Sequence, residues 1–234
     1  MIADWLRLFR IVNLPTVPGD VLAGAAACLV GAPSVPALPV VAACVAACGL
    51  YLFGLVDNDI VGAPTDTARP IPEGRITLRA ARLARGVCPF VAFAAGALAN
   101  LPPAWWIAAL ALAVAIALYN RTKNVLLMGL CRGLNVVCGG AAVGLSGPWM
   151  PNRVLFLSFA VVWTSYIAAV SWYSADEETD PEKRRRVGLL IGALVYLQLV
   201  ALLVAGVKPL LVAGAVMLVL LRLAKRVFPT VSAS

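Results

Sequence analysis

The sequence predicts an all-α, polytopic membrane protein of about eight transmembrane helices. Three observations carry that expectation. Of 234 residues, 62% are hydrophobic and only 13% charged, with a mean hydropathy of +0.93, more apolar surface than a soluble domain of this size needs. The apolar runs recur along the whole chain instead of forming one anchor with a soluble head. The connections between them alternate in charge, as loops on two sides of a bilayer do. The reading is a single helical domain over residues 1–234 with no separate soluble module.

Met1 to Arg10 is too charged and too irregular for a cleaved signal peptide. It reads as an interfacial amphipathic segment with Trp5, Leu6, Phe9 and Ile11 towards lipid. A span needs roughly 20 apolar residues. Eight candidates follow, at about 15–31, 37–57, 78–100, 103–119, 125–146, 153–174, 187–206 and 208–224. In the first, Asp20 follows Pro18-Gly19 and reads as a helix N-cap. Pro33, Pro36 and Pro39 mark a short external turn. Arg79, Arg82 and Arg85 make the third span an amphipathic entry, and Trp105 with Trp106 opens the fourth as an external aromatic belt. Small residues such as Gly24-Ala25-Ala26-Ala27 and Gly139-Gly140-Ala141-Ala142 let helices approach closely in lipid.

One set of loops holds Arg7, Arg10, Arg69, Arg75, Arg121, Lys123, the run Lys183 to Arg186, and Arg222, Lys225 and Arg226; the other holds only Arg153 and Lys208. That asymmetry predicts an integral protein of the cell's inner or plasma membrane, with both termini and the charged loops cytoplasmic. The net charge of +8 is then a topology signal and a contact for anionic lipid of the bilayer, with no nucleic-acid partner implied. The six cysteines all fall in or near apolar spans and form no CxxC, so they read as buried free thiols. The chain has no histidine, which excludes a His-built zinc or haem site and any Ser-His or Cys-His pair.

Two acidic clusters close spans on the charged side. The first is Asp57-Asn58-Asp59 with Asp66, followed by Arg69-Pro70-Ile71-Pro72; the second is Asp176-Glu177-Glu178 with Asp180. Carboxylates beside hydrocarbon are costly unless paired, wet or coordinating a cation. If the helices run on, Asn58, Asp59 and Gly62 share a face, Asp57 points away, and Asp176 and Asp180 stack at i and i+4. Pro70 and Pro72 would hold Arg69 and Ile71 extended. Two such clusters facing each other suit Mg2+ around a diphosphate, because Mg2+ prefers carboxylate, phosphate and water oxygens. The plainer alternative is a pair of solvated, self-neutralising loops. Arg132 and Asn135 lie inside the fifth span, where an ionisable residue marks either a functional site or a side chain snorkelling to the surface.

At these residues the chain resembles the UbiA superfamily of intramembrane prenyltransferases. The family motif NDxxDxxxD, usually followed by RPIPxG, is matched by Asn58, Asp59, Asp66 and Arg69 to Gly74, with Gly62 at the middle aspartate position. The second motif, DxxxD, matches Asp176 and Asp180. Tyr119 and Lys123 fit YxxxK, Arg132 and Asn135 resemble the family's fifth helix, and Arg10 to Asn13 with Pro15 resembles its entry into the first. The resemblance implies a bundle around a central cavity open to the cytoplasmic side, and transfer of a prenyl group from a prenyl diphosphate donor to a small hydrophobic, often aromatic, acceptor. It implies Mg2+ held by Asp59, Asp66, Asp176 and Asp180 as the catalytic set. Asn13, Asn58, Arg69, Tyr119, Lys123, Arg132, Asn135 and Tyr173 would bind substrate, although Tyr119 and Tyr173 also suit an interfacial belt. Gly62 removes one ligand, and the family usually has nine transmembrane helices where eight are expected here. A weakened family member, or a lipid transporter or scaffold binding isoprenoids without transfer, is the alternative; no pairing of inverted halves is evident for a transporter.

Overall fold

The computed structural model describes residues 2–32, 34–64, 69–144, 153–174 and 180–227. Helices follow the apolar runs in order: α1 (Ile2–Leu8), a 3-10 turn (Leu14–Thr16), α2 (Val17–Cys28), α3 (Ala37–Gly62), α4 (Leu78–Leu98), α5 (Pro103–Thr122), α6 (Val125–Val143), α7 (Arg153–Tyr173), α8 (Pro181–Ala205) and α9 (Lys208–Val227). The described residues contain no strand. Six of the helices, α3 to α8, are long and apolar enough to cross a membrane. The first expected span is shorter than its apolar run, because α2 holds 12 residues and reaches only about 18 Å at 1.5 Å per residue. Peripheral faces expose large apolar side chains, among them Leu83, Phe90 and Leu98 of α4 and Val154, Val161 and Trp172 of α7. Such faces fit a protein whose outer solvent is lipid. This is an integral membrane architecture.

The interior is built from small residues. Ala43, Ala46, Ala47 and Leu50 of α3 pack with Val17 and Val21 of α2 and with Ala109 and Leu112 of α5. A second cluster joins Ala23 and Ala27 of α2 to Val136 of α6, Trp163 of α7 and Leu194 of α8. Where α2 crosses α6, a Cβ at Gly24 would strike the Val136 carbonyl, and one at Gly139 would strike the Val21 carbonyl. Only glycine lets these backbones meet.

Contacts along the helices set their direction. Asp57 near the end of α3 meets Arg85 near the start of α4, while Gly49 lies against Cys88 and Ala92. Gly129 at the start of α6 lies against Thr164 and Ala168 late in α7, and Tyr166 of α7 donates to the Leu190 carbonyl of α8. The α3–α4, α6–α7 and α7–α8 pairs are therefore antiparallel. Asn120 of α5 reaches Gly54 and Asp57 of α3, so the ends of α3 and α5 meet at one end of the bundle, beside the start of α4.

One expectation for an aromatic residue is corrected. Trp105 is 1% exposed and seated on Gly96, so it belongs to the core and not to an outer belt. Trp5 and Phe9 are half-buried, packing with Leu8 against Val56, Ile71 and Ile76.

Candidate functional site

The last turns of α3 sort three adjacent polar residues by face. Asp57 is fully buried: Asn120 Nδ2 donates to its Oδ2 at 2.9 Å, and Arg85 Nε lies 2.9 Å from its Oδ1. The latter contact is one of charge, its angle falling short of a hydrogen bond. Asp57 thus ties α3 to α4 and α5. Asp59, on another face, accepts from Arg69 Nη1 at 2.5 Å, and Asn58 Oδ1 accepts from Lys123 Nζ.

Each cation arrives on a constrained backbone. Arg69 opens a segment expected to be extended. The chain instead folds into successive turns, with Glu73 N donating to Arg69 O and Ile76 N to Pro70 O at 3.0 Å each. Burial of Ile71 and Ile76 beneath α1 supplies the reason for the turn. Lys123 caps α5 in the left-handed region, φ 54°, its N–H on the Tyr119 carbonyl at 2.7 Å and its ammonium 5.5 Å from the Tyr119 ring centroid. Arg10 is also left-handed, φ 40°, a conformation that costs a non-glycine residue about 1–3 kcal/mol and clusters at functional sites. The charge of Arg10 reaches Tyr51, Tyr119 and Lys123. Burial first, and then the neighbouring Arg69, hold the Lys123 ammonium below the usual lysine range, although its side chain reaches the surface.

Among the described residues, this end therefore brings Arg69 and Lys123 onto Asp59 and Asn58, with Asp57 and Arg85 beside them and the charge of Arg10 within reach of Lys123. The available donors suit Mg2+ in kind: Asp59 and Asn58 offer only oxygen, and the Arg69 pair occupies Oδ1 of Asp59. No group of three metal-ligating side chains occurs among the described residues. Asp66 and Asp176, two of the four expected ligands, lie outside them. A Cβ at Gly62 would meet nothing within 4 Å.

Asp180 departs from the expected stack. The described part of α7 ends at Tyr173, and Asp180 is extended (φ −125°, ψ 104°) and caps α8, its Oδ1 accepting from Glu182 N at 2.9 Å and Lys183 N at 3.2 Å. The proline after Asp180 favours a new helix start, and its expected stacking partner Asp176 lies outside the described residues. Tyr173 lies under Lys183, 5.3 Å from ring centroid to Nζ, and also bonds Arg186. Asn13 sits in the turn between Arg10 and the 3-10 helix, where its carbonyl accepts from Thr16 Oγ1 at 2.8 Å.

Arg132 and Asn135 do not join that charged end directly. Arg132 turns to Asp20, with Nη2 3.1 Å from Oδ1 and Nε 2.8 Å from Oδ2. Asp20 is wholly buried within α2, so the expected cap is corrected: Thr16 precedes the helix and Asp20 faces the bundle interior. Sequence reasoning missed Arg10 and Tyr51 as members of the site. The spacing from Arg10 to Asn13 was the available signal for the first; Tyr51 carried none, being one aromatic in an apolar run.

The geometry is that of an apolar helical bundle with charged and oxygen-bearing side chains gathered at one end. No protein-family model and no curated protein matches the sequence. Solved structures do resemble it. A UbiA homolog from Archaeoglobus fulgidus bound to DMAPP and Mg2+ is 15% identical, with 97% of this chain and 87% of that chain covered, at a TM-score of 0.60. The same homolog bound to GPP and Mg2+ is 16% identical over the same shares, at 0.60. A structure concerning digeranylgeranylglyceryl phosphate synthase is 14% identical, covering 99% and 97%, at 0.59. The chain shares its fold with these structures.

Proposed function

We propose that this protein is an intramembrane prenyltransferase that moves an isoprenyl group from a prenyl diphosphate to a small hydrophobic acceptor. The observation that carries the reading is the convergence of Asn58 and Asp59 from α3, Arg69 from the turn after it and Lys123 from the end of α5 on one end of a UbiA-like bundle. The Archaeoglobus homolog holding DMAPP or GPP with Mg2+ supports the donor class. On the charge asymmetry of its loops, the mouth faces the cytoplasm.

In this reading Arg69, Lys123 and Arg10 grip the diphosphate by charge-assisted hydrogen bonds, stronger than neutral ones. Asp59, Asp66, Asp176 and Asp180, with Asn58, hold Mg2+, which when bound neutralises charge on the departing diphosphate. The allylic C–O bond breaks with its electron pair leaving on diphosphate. The acceptor then bonds the allylic carbon and releases a proton. The faces of Tyr119 and Tyr173 stabilise positive charge developing near them. Asn13, Arg132 and Asn135 belong to the acceptor side. The open space at Gly62 supports a site with one ligand fewer than the resemblance implies, and hence slow turnover.

Transfer measured by mass spectrometry in proteoliposomes tests this. Asp59→Asn is expected to lose Mg2+-dependent transfer by at least about a hundredfold while keeping its fold. Full activity of that variant contradicts the assignment.

A further inference from the structure

Membrane-side of the charged mouth lies a second polar locus of opposite character. Asp20 is 0% exposed, and the Arg132 side chain 12%. Besides Arg132, Trp163 Nε1 and Gln198 Nε2 each donate to Asp20 Oδ1 at 2.7 Å. The backbone carbonyl of Thr16 takes Gln198 Nε2 at 2.8 Å and Arg132 Nη2 at 3.1 Å. The formal charges cancel, and these Arg132 donors point back into the protein. Tyr51 lies on α3, packed against the small-residue core. It sits eight residues before Asp59 on α3, about 12 Å along the helix.

Three buried polar atoms of this locus lack a hydrogen bond among the described residues: Asp20 Oδ2 and Arg132 Nε face each other at 2.8 Å as charges, and Asn135 Oδ1 faces no counterpart. Asn135 is 6% exposed and stands one turn after Arg132 on α6, its amide bonded to Asp20. A carboxylate accepts only, so the amide nitrogen faces Asp20 and Oδ1 faces away. Among the described residues Oδ1 has no partner. A buried amide oxygen without a donor is a deficit that a ligand can fill.

Resting on the prenyltransferase reading, we infer that the acceptor is a neutral molecule that donates a hydrogen bond, a hydroxyl compound rather than a carboxylate or phosphate. Asn135 Oδ1 receives that hydrogen. Asp20 cancels the charge with which Arg132 would otherwise draw an anion. The carboxylate thus sets specificity without touching the substrate, acting through Arg132 as a positioning and charge-balancing residue.

The test uses the full chain in nanodiscs, saturated with the prenyl diphosphate and Mg2+ that stabilise it most. Dissociation constants are measured for 4-hydroxybenzyl alcohol and 4-hydroxybenzoate, which share a ring and differ in charge. The wild type is expected to prefer the alcohol by about tenfold or more, the scale of one buried hydrogen bond gained against an unpaired charge. Asp20→Asn reverses the preference, and Asp20→Asn with Arg132→Gln restores it. Asn135→Leu weakens the alcohol alone, which keeps the test open if the Asp20 variant does not fold. Equal or tighter binding of the carboxylate by the wild type, binding of neither probe, or a ratio indifferent to these variants overturns the inference. Where the donor itself stabilises the protein, such a result removes only the acceptor assignment; where it does not, the prenyltransferase reading falls as well.

Discussion

Two aspartate–arginine pairs lie at different depths of this bundle, and their surroundings separate them. At the mouth, Asp59 and Arg69 meet at 2.5 Å, with the arginine side chain 28% exposed. In the interior, Asp20 and Arg132 are joined by Trp163, Gln198 and the Thr16 carbonyl, with the arginine side chain 12% exposed. The residue types are the same. The exposure differs: a pair that reaches the surface can exchange its partner for a ligand, whereas a pair bonded within the bundle holds helices together and sets the local field. A buried pair also contributes less net stability than its contacts suggest, since desolvation offsets much of the attraction.

The largest expected effect breaks the interior pair. Asp20→Ala leaves a buried guanidinium without its counter-charge and is expected to destabilise the protein by about 3–5 kcal/mol. Removing both charges, as in Asp20→Leu with Arg132→Met, is expected to recover most of that loss, because no buried charge is left unpaired. Denaturation in detergent checks both, and equal destabilisation by the single and double variants would remove the distinction drawn between the regions. Asp59→Asn sharpens it from the other side: the amide oxygen can still accept from the partly exposed Arg69, so the stability loss is expected to be smaller than that of Asp20→Ala, with transfer largely lost.

A smaller effect concerns pH. Burial and Arg69 lower the Lys123 pKa, so its ammonium is lost at a lower pH than that of a free lysine. A bound diphosphate favours the charged form. Donor affinity should therefore begin to fall below the ordinary lysine range near about 10.4, and Lys123→Arg should push that decline upward. Titration calorimetry across the alkaline range reads both; identical profiles would exclude Lys123 from donor binding. The smallest effect is a gain. Since a Cβ at Gly62 meets open space, Gly62→Asp should fold normally and raise Mg2+-dependent transfer several-fold, about 1 kcal/mol of barrier.

The sequence made the helices legible because each lies in an apolar run bounded by proline, glycine or charge. Asn58, Asp59 and Arg69 were legible as a group because helix spacing and turn residues act locally, whereas Lys123, 65 positions from Asn58, was legible only through the family resemblance. The interior locus was not. Arg132 and Asp20 are 112 positions apart, and Trp163 and Gln198 lie 143 and 178 positions from Asp20. No local pattern records such a partner. The same blindness sent Asp20 to a helix cap and Trp105 to the membrane surface, since proline-glycine before aspartate imitates a cap and paired tryptophans imitate a belt. Asp180 shows the reverse: its DxxxD spacing suggests a helix face, while the following proline fixes it as the cap of α8.

The central claim is that the charged mouth holds a prenyl diphosphate with Mg2+. It is tested most directly by the melting temperature of the detergent-purified protein against prenyl diphosphates of increasing chain length, with and without Mg2+. A ligand bound only by the folded state raises that temperature by mass action. The account predicts a rise that requires Mg2+ and favours one range of chain lengths, and that Asp59→Asn abolishes. A folded protein whose melting temperature is unmoved by every donor would contradict it.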